Sequence, residues 1–99
     1  MDTKEWRALI RKLRKTFPVS GGRIIVYRQP LEHSFGVTAH TGNTYRIRID
    51  SQQCRQVQLD ALLHEWAHVI AIERAFWHTP EWGKVYASIF SAWAHDFKG

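Results

Sequence analysis

A lone cysteine, Cys54, among 99 residues leaves no internal disulfide to hold the fold. An unpaired thiol fits a reducing compartment, so a cytoplasmic setting is expected. Nowhere does an apolar run approach the ~18 residues that a membrane helix needs. The first residues, Met1-Asp2-Thr3-Lys4-Glu5-Trp6, turn charged where a signal peptide would carry its apolar core, and no membrane partner is expected. Three Pro and six Gly are too few for a collagen-like or low-complexity segment, and no internal repeat or linker is visible. Residues 1–99 read as one domain, expected to be a monomer. Acidic residues are outnumbered as well: nine Asp and Glu face fourteen Lys and Arg, for a net charge of +5.

What is present is a globular composition. Hydrophobic residues make up 44% of the chain and charged residues 23%, which excludes disorder throughout. Five Trp, three Tyr and five Phe let a short chain bury much area per residue. The positive charge is concentrated. Residues 1–20 hold six bases and two acids, whereas the remaining residues hold eight bases and seven acids. Over 3–17, Trp6, Leu9, Ile10, Leu13 and Phe17 recur at helical steps, and Asp2 with Glu5 resembles a capping box. Pro18 and Gly21-Gly22 end that helix. Arg23–Tyr27, Gly36–Ala39 and Thr44–Asp50 are β-branched or aromatic and read as strands, with His40-Thr41-Gly42-Asn43 as a hairpin turn. Tyr45, Ile47 and Ile49 alternate with Thr44, Arg46 and Arg48, as a half-buried antiparallel strand requires. Helical periodicity returns over 53–76 through Val57, Leu62, Leu63, Trp66, Val69 and Ile70. Thr79 is the expected N-cap of a last helix beginning at Pro80 and carrying Trp82, Val85, Tyr86, Ile89, Phe90 and Trp93. The expected fold is α+β: an N-terminal helix, a small three-stranded antiparallel sheet, and two further helices covering it.

The segment that carries chemistry is His64-Glu65-Trp66-Ala67-His68. Residues four apart on a helix lie one turn along nearly the same face, so both imidazoles can reach one ion. Zinc takes neutral ring nitrogens as corners of a tetrahedron, and Glu65, rotated off that direction, stays close enough to act as general base towards a zinc-activated water. The motif also sets polar groups beside Leu62, Leu63, Val69 and Ile70, where they need a partner. A catalytic zinc takes three protein ligands and leaves one position for water. Among Glu73, His78, Glu81 and His95, His78 is favoured because the chain turns back before Pro80. Glu81 is next, as a ligand or an outer carboxylate. Glu73 falls off the face, His95 lies a helix away, and His33 and His40 read as solvated loop residues.

His64-Glu65-Trp66-Ala67-His68 followed by His78-Thr79-Pro80-Glu81-Trp82 resembles the SprT-like zincin metallopeptidases and the related WLM-type predicted hydrolases. The resemblance covers roughly residues 44–90. It implies a minimal zincin-like fold, one zinc ion per chain held by His64, His68 and His78, water activation by Glu65, and a protein or peptide substrate. It also implies that the strand Thr44–Asp50 is the edge along which an extended substrate pairs. Thr79 stands where the family usually has Gly, and the C-terminal extensions of many relatives are not expected here. The metzincin pattern is excluded by Ala71 and Arg74.

Further expectations attach to other residues. Arg46 and Arg48, with Thr44, are candidates to line the substrate cleft, against an ordinary solvated strand face. Tyr86, His95 and Arg48 are open candidates for stabilising an oxyanion. Lys4, Arg7, Arg11 and Lys15 on the first helix could meet nucleic-acid phosphates, which would suit an enzyme acting on DNA-associated proteins. Cys54 is expected to pack rather than bind metal. The rival reading is a non-catalytic zinc-containing module that holds DNA or a protein through the basic helix.

Overall fold

In the computed structural model, which describes residues 1–73 and 80–97, the chain opens with helix α1 (Thr3–Thr16). Asp2 caps it, its carboxylate accepting from the Glu5 N–H at 2.7 Å. Only half of a capping box forms, because the Glu5 carboxylate accepts instead from Arg55 Nε at 2.7 Å. Trp6, Leu9, Ile10 and Leu13 are buried, while all six bases of the helix are exposed on the other side. Phe17 closes the helix and, partly buried, packs against the core: its N–H bonds the Leu13 carbonyl, and its own carbonyl accepts from Trp66 Nε1 at 3.0 Å.

Three strands follow, β1 (Arg23–Gln29), β2 (Gly36–Thr41) and β3 (Thr44–Asp50). The hairpin turn is shorter than the sequence suggests. β2 runs on through His40 and Thr41, leaving Gly42-Asn43 as a two-residue loop with Gly42 at φ +61°, where a side chain would be strained. His40 is therefore a strand residue, and its ring stacks on Tyr45 at 4.2 Å.

The sheet corrects the expected antiparallel arrangement. Its order is β1-β3-β2, with β3 antiparallel to β2 but parallel to β1. The reason lies at the C-terminal end of β3. There the Asp50 N–H donates to the Phe35 carbonyl and the Ser51 N–H to the Gln29 carbonyl. The Asp50 carboxylate accepts from the N–H groups of Leu31 and Gln52 and from Gln53 Nε2. These bonds carry the chain over the end of β3, so β2 lands on the far side and β3 returns between its neighbours. The segment 30–43, which contains β2, is long enough to serve as the crossover that a parallel pair needs.

Register then assigns faces. Ile24, Val26 and Arg28 of β1, Tyr45, Ile47 and Ile49 of β3, and Gly36, Thr38 and His40 of β2 share one face. Ile47 and Ile49 are fully buried there beneath helix α2 (Arg55–Glu73), which contributes Leu59, Leu62, Leu63, Trp66, Val69 and Ile70 to the same core. Helix α3 (Pro80–Ala92) adds Val85 and Ile89, and a π-helical turn (Trp93–Phe97) ends the described chain. Phe90, on the expected apolar face of α3, is 41% exposed instead. The proposed N-cap Thr79 and the expected extension of α2 to residue 76 lie outside the described residues. Among the described residues, no helix is long and apolar enough to cross a membrane.

Candidate metal centre

Helix α2 has two sides. Its core residues lie on one, and Val57, Asp60, Ala61, His64 and His68 recur at steps of three and four on the other, with Glu65 at the margin. The rings of His64 and His68 meet with Nε2 atoms 2.9 Å apart and planes 75° to one another. Two nitrogens bound to one tetrahedral zinc at ~2.05 Å would stand about 3.3 Å apart, so the pair would have to open a few tenths of an ångström to take such an ion. Ligand atoms of His64, Glu65 and His68 all lie within 4.8 Å of one another. The donor set therefore fits a divalent metal of the zinc type.

Glu65 is 7% exposed, unusual for a carboxylate. Burial pushes its carboxyl above the ordinary range, opposed by a hydrogen bond from Thr38 and by the neighbouring His64. Thr38 Oγ1 donates to Glu65 Oε1 at 2.9 Å. β2 comes this close because Gly36, one residue pair along the same face, has no side chain. A Cβ there would stand 3.0 Å from Glu65 Cγ and 3.0 Å from Ile49 Cδ1.

Aromatic rings from α3 wall the histidines. Trp82 lies 5.1 Å from the His64 ring and 5.0 Å from the His68 ring, and Tyr86 lies 5.7 Å from His64. Trp82 and Tyr86 stack on each other at 5.6 Å. The Trp82 indole N–H is buried without a hydrogen-bond partner among the described residues. Burial, with the Asp60 charge second, keeps the Tyr86 phenol protonated to higher pH than usual. Beside the pair opens a cleft of about 400 Å³, lined by Phe35 and Gly36 on one wall, Val57, Asp60, Ala61, His64 and Glu65 on α2, and Tyr86 on α3.

The structure gathers His64, Glu65 and His68 and places Glu73, His95, His33, Arg46 and Arg48 away from them. His78 lies outside the described residues, as does the Glu81 side chain. Glu73 turns away, both its carboxylate oxygens accepting from the Ser20 N–H at 2.9 Å. His95 is exposed on the π-helical turn, and His33 is exposed beside Glu32. Arg46 and Arg48 sit on the sheet face opposite α2, away from the cleft, with Arg48 over the Tyr27 ring at 5.6 Å. The expectation that β3 forms the substrate-pairing edge is corrected by the strand order, which makes β3 central and β2 the edge next to the cleft. Cys54 is exposed, not packed. Thr38, Asp60 and Phe35 were not singled out by sequence. Thr38 reaches Glu65 through the register of β2 and Phe35 lines the cleft just before that strand, and only Asp60 carried a local signal, one helical turn before His64.

Set against known proteins, the chain matches no family model, no curated protein and no solved structure.

Proposed function

We propose that this protein is a zinc-dependent metallopeptidase of the SprT-like zincin kind. The observation that carries the reading is the convergence of the His64 and His68 Nε2 atoms beside a cleft whose lining includes His64 and the buried Glu65. Zinc, when bound by His64, His68 and His78, supplies Lewis acidity towards a carbonyl oxygen and acidity to a bound water. Glu65 is the general base that takes the water's proton and returns it to the leaving amine. Thr38 fixes one carboxylate oxygen and leaves the other for the proton. An extended peptide would pair its backbone with the outer edge of β2, which has no strand partner among the described residues. Tyr86, with its phenol kept protonated beside His64, is the best-placed of the three oxyanion candidates. The exposed free thiol of Cys54 suits a cytoplasmic setting.

Zinc analysis of the purified chain should find about one ion per chain, lost on His64→Ala, His68→Ala or His78→Ala. Glu65→Gln should keep the zinc and lose hydrolysis of an unstructured protein such as casein by a hundredfold or more, the scale of a general base. Unchanged hydrolysis in Glu65→Gln would sink the mechanism.

A second reading draws on α1, where Lys4, Arg7, Arg11 and Lys15 form one exposed stripe opposite the buried face. As a nucleic-acid surface this stripe would bind duplex DNA with strong salt dependence, and reversing the four bases to Glu would remove both.

A further inference from the structure

The cleft does not stop at the histidines. It follows α2 towards its N-terminus past Ala61 and Asp60 to Val57, with Phe35 and Tyr86 as facing walls. Among the described residues its lining includes two carboxylates, Asp60 and Glu65, and no Lys or Arg, although the chain as a whole carries a charge of +5. Several of the described bases are placed elsewhere: those of α1 on an exposed face, Arg46 and Arg48 across the sheet, Arg55 paired with Glu5. Asp60 accepts from Gln56 Nε2 at 2.9 Å through Oδ1 and joins no ion pair among the described residues. A partly buried carboxylate with only a neutral partner, in an apolar-walled cleft, can gain by meeting a cation.

We infer that the cleft selects a substrate side chain with an aliphatic stem and a cationic head, arginine or lysine, and that Asp60 is the specificity-determining residue. The chemistry of the walls matches such a side chain along its length. Val57 and Ala61 offer apolar surface to the methylene stem, the Tyr86 and Phe35 rings offer π faces to the cation, and Asp60 supplies the counter-charge. Asp60 stands one helical turn from His64 and outside the cluster of potential ligand atoms, so its carboxylate is free for substrate rather than metal. The inference rests on the peptidase reading for the word substrate, but the selectivity of the cleft can be measured without catalysis.

Binding of two capped alanine pentapeptides, one with a central arginine and one with the neutral isostere citrulline, to the zinc-loaded Glu65→Gln protein tests it by calorimetry or NMR titration. The arginine peptide should bind about tenfold tighter or more, as a charge-assisted hydrogen bond gives, and Asp60→Asn should bring the ratio to about one. Equal affinities with Asp60 in place overturn the inference, and this comparison needs no change at Asp60 and so no question of its folding. Hydrolysis by the unmutated zinc-loaded chain separates the two claims. Peptide cleavage with no preference for arginine or lysine overturns the selective cleft and leaves the peptidase. Selective binding with no cleavage of any peptide supports the cleft and overturns the peptidase.

Discussion

Asp50 and Glu65 are both buried carboxylates, 3% and 7% exposed, and the fold treats them in opposite ways. Asp50, at the end of β3, accepts three hydrogen bonds and is held below the usual carboxylate range, the Gln53 amide contributing most. Glu65, in the cleft, has one donor from Thr38 and is pushed above that range by burial. The indoles divide the same way. Trp66 donates to the Phe17 carbonyl in the core, whereas the Trp82 N–H beside the histidines has no partner among the described residues. Asp50 and Trp66, which help to build the fold, are satisfied by it, whereas among the described residues Glu65 accepts one bond and the Trp82 N–H donates none. A buried polar group left under-satisfied marks function more reliably than an exposed charge does, because exposure already accounts for the charge.

The largest test of that contrast is Asp50→Asn set beside Glu65→Gln. Removing the Asp50 charge weakens three hydrogen bonds and loosens the crossover that fixes the strand order, so the urea midpoint should fall more than for any other change named here. Glu65→Gln should leave the midpoint of the metal-free protein within about 1 kcal/mol of wild type, since an amide still accepts from Thr38 and carries no buried charge. The Asp50 effect has a signed pH dependence. A carboxyl whose folded pKa is depressed contributes stability that is present above its unfolded pKa, ~3.9, and is lost as pH falls through the folded value. The gap between wild type and Asp50→Asn in urea titrations should therefore be constant near neutrality and close below about pH 4. A gap that widens in acid would contradict the assignment.

The indole pair gives a smaller effect. Trp66→Phe deletes a buried donor, leaves the Phe17 carbonyl unpaired and opens space in a fully buried site, at a cost of about 1–3 kcal/mol by chemical denaturation. Trp82→Phe loses an N–H that bonds nothing described, and should cost under about 1 kcal/mol. Equal losses would mean that the Trp82 N–H has a partner in the folded protein, and the contrast between the two regions would narrow.

Much of this was legible in the residues. The apolar steps of α1, the alternation of β3 and the His64–His68 spacing follow from periods of 3.6 and 2, which fix which face a side chain takes. Those periods say nothing about which strand lies beside which, and for that reason the parallel pairing of β1 with β3 escaped the sequence. It depends on Asp50, whose three bonds to residues 31–53 have no periodic signature. Thr38 was hidden for the same cause: it meets Glu65 only because Gly36 lets β2 approach α2. Asp60 could have been found, since it extends the His64–His68 face by one turn.

The smallest change in stability should come at Thr38, where the two sides of the comparison touch. Thr38 is half-buried on an edge strand, and valine matches its shape and strand preference, so Thr38→Val should shift the folding midpoint by under about 1 kcal/mol. Its consequence for Glu65 is larger. Without the Oγ1 donor, the carboxylate loses the only hydrogen bond described for it and, on the proposed peptidase reading, would be free to rotate off the line to the water. Turnover of a peptide substrate should fall about tenfold, a loss in kcat with KM little changed, because the bond orients the base and does not touch the peptide. Thr38→Ser restores the hydroxyl without the methyl and should recover most of the rate. A Thr38→Val protein with full kcat would show that packing by β2 alone holds Glu65 in place, and would move Thr38 to the side of Asp50, among the groups that only build the fold.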